Sequence, residues 1–412
     1  MNEHLVQRIA VPFEFPVIFT DHVFALENDA LHRAITRLQE PGAPRAMVCI
    51  DANAEAATPG LAASATAWCA RWGITLAAAP RILPGGEPAK NDWEGTQSLI
   101  REMLALRLDR HACVLIVGGG ALLDAVGFAA SLVHRGLRVI RIPTTALAQC
   151  DGGVGVKNAV NFAGGKNAIG TFAPPFAVIN DFQFLPTLAD RDWRGGVAEA
   201  FKVAIIRDAD FFEDLCAHTA AFRSREPGPM RRLVQRCAQL HLDHIRTAGD
   251  PFELGRSRPL DFGHWAAHKL ELLSAFRIGH GDAVAAGVAL DSAYAAREGW
   301  IEDADFLRIH RALAESGFPL WHPEMDDPAL LDGLRDFQEH LGGALCVTFP
   351  DGIGHRREES QVSPDIVRTA LGRLRQAGGS VSASDRHANE SDAINQTPGA
   401  AISRSPMGRR GH

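Results

Sequence analysis

Two histidines four residues apart, His264 and His268, stand in "PLDFGHWAAHKLE", a stretch with the apolar spacing of a helix. A third, His280, precedes another helical pattern in "IGHGDAVAAG", and Glu199 and Lys202 lie three apart in "GGVAEAFKVAII". Histidines at i, i+4 can ligate one zinc ion, or one can ligate while the other handles protons, or the two can simply share a face. A glutamate and lysine at i, i+3 make a helix-surface ion pair without any further role. His241 and His244 in "HLDHIR" show the same kind of spacing, and are expected to be structural. Taken as a set, one glutamate and two or three histidines at helix starts suit a Glu/His/His metal site with an open position for a substrate hydroxyl.

A second group of residues suits phosphate. "VLIVGGGALLDAVGF" places Gly118, Gly119 and Gly120 after a β-branched run and before a helix. Glycines there let backbone N–H groups approach a pyrophosphate, although a tight structural turn would use them equally. Asp51 and Asn53, after an earlier strand, can bind ribose hydroxyls or serve as cap residues. Glu87 and Lys90 in "LPGGEPAK" are ambiguous by themselves. The segment from Ile142 to Phe172 holds Thr144, Thr145, Asp151, Lys157, Lys166 and Asn167 among six glycines. Lysines flanked by glycines offer accessible point charges to a phosphate-bearing substrate, and an exposed loop with solvated lysines is the bland alternative.

The elements that must position these residues change character along the chain. Up to about Leu188, β-rich runs such as "RAMVCIDA", "HACVLIVGGG", "LRVIRIPTT" and "PFAVINDFQFL" alternate with helical stretches, which predicts a parallel sheet covered on both faces. Beyond it, amphipathic helical patterns take over. The expected organisation is an α/β, Rossmann-like domain over residues 1–188, an all-helical metal and substrate domain over 189–375, and a disordered Gly/Ser/Asn-rich tail over 376–412. With 412 residues and 46 % hydrophobic content, the chain can fill more than one core. Its formal charge of −7 offers no global field for nucleic acid or an anionic membrane. No apolar run reaches the roughly 20 residues of a membrane span, and the amino terminus lacks a signal pattern, so a cytoplasmic location is expected. Seven scattered cysteines without a C-x-x-C pair leave histidine and carboxylate as the ligands for any metal.

In order along the chain, these motifs resemble the 3-dehydroquinate synthase family, the sugar phosphate cyclases, over most of residues 45 to 290. The resemblance is carried by Gly118 to Gly120 with Asp124, Gly127 and Phe128, by Arg135-Gly136 before Pro143-Thr144-Thr145, and by Gln149, Asp151 and Lys157. It continues through Gly165-Lys166-Asn167, Ala198-Glu199 with Lys202, Phe-Gly-His-x-x-x-His and His-Gly. It implies NAD across Asp51, Asn53, Glu87, Lys90, Gly118, Gly119, Gly120, Asp124, Thr144, Thr145 and Asp151, with Lys166 beside it. It further implies Zn2+, or Co2+, on Glu199, His264 and His280, with His268 near the substrate. Lys157, Lys166, Asn167 and Lys202 would bind phosphate and sugar oxygens, and Arg135 would reach the neighbouring subunit's phosphate in a homodimer. The implied reaction closes a phosphorylated heptulose or heptulosonate into a carbocycle, with phosphate elimination and NAD returned unchanged.

The chain departs from the family pattern where a substrate carboxylate would sit. The expected lysine and arginine are Asp243 and Ser257, flanked by Arg256 and Arg258, and the asparagine before Phe-Gly-His is Asp261. Those changes point toward relatives acting on seven-carbon sugar phosphates without a carboxylate, whereas retention of His268 points the other way. "CDGGVGVKN" replaces a serine-rich loop, and no lysine stands near "FPDGIGHRREE". The competing expectations are a metal-dependent polyol or glycerol phosphate dehydrogenase and a degenerate sugar-phosphate binding protein.

Overall fold

The computed structural model describes residues 4–247, 252 and 258–377. Its centre is a seven-stranded parallel sheet of β1 (Val17–Thr20), β2 (Arg45–Asp51), β3 (Thr75–Leu76), β4 (Arg81–Leu83), β5 (Cys113–Gly118), β6 (Arg138–Pro143) and, after the hairpin β7 (Lys157–Phe162) and β8 (Gly165–Phe172), β9 (Ala177–Asp181). The order is β1-β9-β6-β5-β2-β3, with β4 also paired to β2. Near-continuous apolar runs form the central strands because both faces are covered. Val48, Ile50, Leu115 and Val117 pack on one side with Leu31, Ile35 and Trp68. Met47, Cys49, Val114 and Ile116 pack on the other with Leu99, Met103, Leu122 and Val126.

From β2 the chain moves outward to β3 and β4, then returns to β5 on the opposite side of β2 and continues to β6 and β9. Strand order therefore reverses between β2 and β5, and a crevice opens beyond their carboxyl ends, the usual ligand position in such sheets. The residues at those ends are Asp51 and Gly118.

Two features of the first half go beyond the sequence reading. The edge strand β1 has no counterpart in the sequence pattern, and the glycine-rich segment, whose secondary structure the sequence reading leaves open, is an antiparallel hairpin. In β7, Asn158 and Val160 are buried in alternation, and Val160 packs with Ala125 and Phe128. The turn carries left-handed backbone at Ala163 and Gly164, which matches the twist of a tight hairpin. Buried Arg141 ties the hairpin to the sheet, donating to the Gly155 carbonyl (2.8 Å), the Lys157 carbonyl (2.8 Å) and Asn158 Oδ1 (2.9 Å). A Cβ on Gly127 would lie 2.0 Å from Asn158 Oδ1, so the helix Gly120–Leu132 can approach the hairpin only with glycine there.

The second half is built on the helix Asp190–Arg207, buried along most of its length and packed by Ala146–Cys150, Pro227–Thr247 and His280–Glu298, the last of which also carries His264–Leu273. It is not wholly helical: β10 (Val347–Pro350) pairs antiparallel with β11 (Arg356–Glu359). This short pair forms because all four residues of β10 are buried and Phe349 stacks on Tyr294, with ring centroids 4.8 Å apart. The last described helical segment continues through residue 377, so Gln376 and Ala377 are ordered where a tail was expected. Residues 378–412 lie outside the described residues, as do Arg256 and Ser257. No described helix is long and apolar enough to cross a membrane.

Candidate active site

The crevice between β2 and β5 is shaped by close backbone packing. A Cβ on Gly118 would lie 3.0 Å from the Asp51 Cβ and 2.8 Å from Leu122 Cδ2, so glycine lets the two strand ends converge. Gly119 caps the following helix, and the position of a Cβ on Gly120, its first residue, is open space. The amino end of that helix therefore faces the cavity with backbone N–H groups and no side chain, a cradle suited to pyrophosphate. Asp51 is buried and accepts from Asn53 N at 2.8 Å; Thr145 caps the helix Ala146–Cys150. A single cavity of about 520 Å³ runs from Asp51, Asn53, Gly119, Gly120, Thr144 and Thr145 to Arg191 and His280. That volume is typical of a cofactor site.

Three donors converge at the His280 end. Glu199 comes from the central helix, while His264 and His280 open the next two helices; their ligand atoms lie within 4.8 Å of one another. His264 donates Nδ1–H to the Phe262 carbonyl (3.1 Å), and His280 Nδ1 pairs with Glu271 Oε2 (3.2 Å). Each ring thereby presents Nε2 to Glu199 Oε1, at 3.9 Å and 3.6 Å. These separations are too long for hydrogen bonds and suit three donors around one ion, because bonds of about 2.0–2.2 Å in tetrahedral array leave ligands a little over 3 Å apart. Outer partners on both Nδ1 atoms are what metal-binding histidines require. The residues present fit a divalent ion. A second grouping, His268, Glu271 and His280, is as compact, but both Glu271 oxygens are already engaged: Lys166 Nζ sits 3.0 and 3.2 Å from them, and His280 takes Oε2.

Beside the triad, Lys202 is buried between two carboxylates, 2.5 Å from Glu199 Oε2 and 3.2 Å from Asp151 Oδ2. Burial alone would discharge this lysine; Asp151 and Glu199 outweigh it and hold the ammonium well above its ordinary range. Burial likewise pushes the carboxyls of Asp151 and Glu199 up, and the cation between them brings both below their ordinary values. Asp151 also meets His241 Nδ1 at 2.8 Å, so His241 is part of this ion network and not only a structural residue. His244, one turn on, instead faces Arg207. His268 is held neutral, first by burial and then by His264 and His280. Asp261 is brought below its ordinary range because cationic neighbours, Lys157 first and Lys202 with it, outweigh its desolvation.

Lys90, Asp124, Asn167, Asn161 and Glu87 form a further cluster. Buried Lys90 donates to Asp124 Oδ2 at 2.7 Å and to Asn167 Oδ1, while Asn161 bridges to Glu87 at 2.9 Å. These residues sit off the lining of the main cavity, as does Asp151, which pairs with Lys202 beside the Glu/His/His cluster. Arg135 is exposed in the turn Val133–Arg135, a helix length of about 20 Å from Gly120. Within one chain it does not reach the cavity. Asp243 turns to Arg246 at 3.1 Å.

Glu271 was missed by the sequence reading although it lies three residues after His268 and seven after His264, on the same helical face. Asp291 gave no sequence signal at all. Its carboxylate accepts from Gly263 N (3.1 Å) and Trp265 Nε1 (2.9 Å), one residue either side of His264, across a gap of 26 to 28 residues that no local pattern bridges.

Comparison with known proteins agrees with this arrangement. The 3-dehydroquinate synthase N-terminal family matches residues 81–195 and the C-terminal family residues 196–336. A 3-dehydroquinate synthase of Laribacter hongkongensis (strain HLHK9) is 34 % identical over 291 residues, covering 70 % of this chain and 80 % of that protein. The structure of 2-epi-5-epi-valiolone synthase from Streptomyces hygroscopicus subsp. jinggangensis 5008, with NAD+ and Zn2+ bound, superposes with a TM-score of 0.81 at 29 % identity, over 90 % of this chain and 99 % of that one. The structure of a 2-deoxy-scyllo-inosose synthase with carbaglucose-6-phosphate, NAD+ and Co2+ shares the fold, with a TM-score of 0.68 at 22 % identity over 87 % of this chain and 96 % of its own. With both family halves matched in order across the sheet, the crevice and the Glu/His/His cluster, this chain belongs to the 3-dehydroquinate synthase family.

Proposed function

We propose that this protein is a sugar phosphate cyclase, a carbon–oxygen lyase that uses NAD and a divalent metal, zinc or cobalt, to close a phosphorylated heptulose or heptulosonate into a ring with loss of phosphate. The observation that carries the reading is the single cavity joining Gly119 and Gly120 to His280 of the Glu199/His264/His280 cluster. When bound, the dinucleotide supplies a reversible oxidant for a substrate hydroxyl, and the metal a Lewis acid that favours its ionised form. Asp51, Asn53, Thr144 and Thr145 line the dinucleotide end. Glu199, His264 and His280 hold the ion.

The chain's own groups then handle charge and protons. Lys202, fixed in its cationic form between Asp151 and Glu199, stabilises negative charge developing on substrate oxygens. Lys157, Lys166 and Asn167 on the hairpin provide the cationic and amide groups for a phosphate ester. Neutral His268 is able to accept or donate a hydrogen bond without repelling those lysines. A homodimer in the cytoplasm would allow Arg135, remote from its own cavity, to serve the neighbouring one.

The ionised, half-buried Asp261 favours a heptulose phosphate over a heptulosonate, since it would repel a substrate carboxylate brought near it. The test is phosphate release from sedoheptulose 7-phosphate and from the carboxylated dehydroquinate precursor, with NAD and zinc present. Turnover of the uncarboxylated sugar alone is expected. A steady rise of reduced-cofactor absorbance without phosphate release would replace the cyclase reading with a polyol dehydrogenase.

A further inference from the structure

Glu271 is buried on the helix His264–Leu273, and two donors of different origin meet on its carboxylate. Lys166, from β8 of the hairpin, reaches it across 105 positions of sequence and places Nζ 3.2 Å from Oε1 and 3.0 Å from Oε2. His280, nine residues after Glu271, places Nδ1 3.2 Å from the same Oε2. The opposite ring nitrogen of His280 is the one that faces Glu199 in the metal cluster. A single carboxylate oxygen therefore stands between a hairpin lysine of the α/β half and a metal-cluster histidine of the helical half. Glu87 lies farther from Lys166 Nζ, at 4.0 Å.

The two donors act on Glu271 in opposite senses. A carboxylate that accepts Nδ1–H from a metal-binding histidine raises the basicity of the other ring nitrogen, and with it the affinity for the ion. An ammonium on the same oxygens draws on that negative charge and weakens the effect. Because Glu271 is buried, water does little to screen the exchange. Lys166 is half-buried, so it is the partner that a ligand entering the cleft can take up. Its departure would leave the carboxylate to His280.

We propose that Lys166 and His280 compete for the Glu271 carboxylate, which makes Glu271 a positioning residue that couples the hairpin to the metal cluster. With Lys166 on Glu271, His280 holds the ion less tightly. An anion that draws Lys166 away gives the carboxylate to His280 and tightens the metal site. By linkage, the ion then strengthens binding of that anion by the same factor. The part played by the anion rests on the reading of Lys166 as a group for the phosphate ester, whereas the competition stands on the distances around Glu271 alone.

Zinc affinity of the full-length protein with NAD present, measured by chelator competition with and without inorganic phosphate, reads both parts without turnover. Lys166→Met should bind zinc about fivefold or more tightly than wild type, and the gain should vanish when Glu271→Gln is added. Phosphate should produce a similar gain in wild type and none in Lys166→Met, a comparison in which any effect of phosphate on zinc in solution cancels. Zinc affinity no higher in Lys166→Met than in wild type would overturn the proposal. So would a gain of equal size in the Glu271→Gln background, which would mean plain repulsion between Lys166 and the ion. A Glu271-dependent gain in Lys166→Met, with no phosphate response in wild type or with the response retained in Lys166→Met, supports the competition and overturns the assignment of Lys166 to the phosphate ester.

Discussion

Asp291 controls the loop that presents His264, and its ionisation should be visible in the pH dependence of stability. The residue is 1 % exposed, and burial pushes its carboxyl up to about 7 from an ordinary 3.8, against the opposing hydrogen bonds from Trp265 and Gly263. The folded state thus holds the proton more tightly than the unfolded chain, so stability falls as pH rises from about 4 and levels off above about 7 to 8. A gap of about 3 pH units, at ~1.4 kcal/mol each, makes the whole effect about 4 kcal/mol, of which about 2–3 kcal/mol falls between pH 5 and pH 8. Asp291→Asn removes the titration but leaves one of the two N–H donors facing an amide N–H, at a cost of about 1–3 kcal/mol. The variant should therefore be less stable than wild type at pH 5 and should gain about 2–3 kcal/mol relative to it by pH 8. Urea unfolding of chelator-treated protein, followed by tryptophan fluorescence at both pH values, measures the difference. Parallel curves, with a constant stability gap, would refute the reasoning.

Three further outcomes are expected. Glu271→Gln should weaken zinc binding about 10- to 100-fold, because the carboxylate that orients His280 through Nδ1 is lost; a competition titration against a chelator reads this, and unchanged affinity would remove Glu271 from the metal environment. His264→Ala should abolish stoichiometric metal, whereas His268→Ala should leave metal content near wild type, and equal loss in both would show the ligand assignment to be wrong. Gly120→Ala should fold normally, since nothing lies within 4 Å of the added Cβ, yet bind NAD about tenfold or more weakly in a fluorescence titration; affinity within about twofold of wild type would place the pyrophosphate elsewhere.

The parallel sheet was legible because both its faces are covered: "RAMVCID" and "CVLIVG" read as strands from composition alone. The edge strand β1 was not, since its four residues are only half-buried and its pairing with β9 spans some 160 positions. The hairpin is hidden in the sequence for a related reason. Its strands carry polar and glycine residues because the site needs lysines and open backbone there, and their pairing is enforced from outside by Arg141 and by the close approach that Gly127 permits.

The same division runs through the site. The residues proposed to meet ligands, Glu199, His264, His280 and Lys202, stand in short local motifs, so the family resemblance could single them out from the sequence. The residues that set their chemistry are not marked in this way, because the relation is spatial. His241 looked like half of a meaningless pair until the fold put its Nδ1 on Asp151; the same helix sends His244, three residues on, to Arg207. Lys202 and Glu199 looked like an ordinary i, i+3 pair until Asp151, from 51 residues away, made a buried triad of them. That triad carries a net negative charge next to the Glu/His/His cluster, and removing Lys202 would leave its two carboxylates uncompensated. A divalent ion on Glu199 supplies the missing positive charge, so the electrostatics of Lys202 and the presence of the metal are two halves of one requirement. The acidic Asp261 adds to that demand. A site carrying this much fixed negative charge is suited to holding a cation and a neutral sugar hydroxyl together, and on the proposed function it leaves a phosphate ester to cationic groups outside it, such as the hairpin lysines.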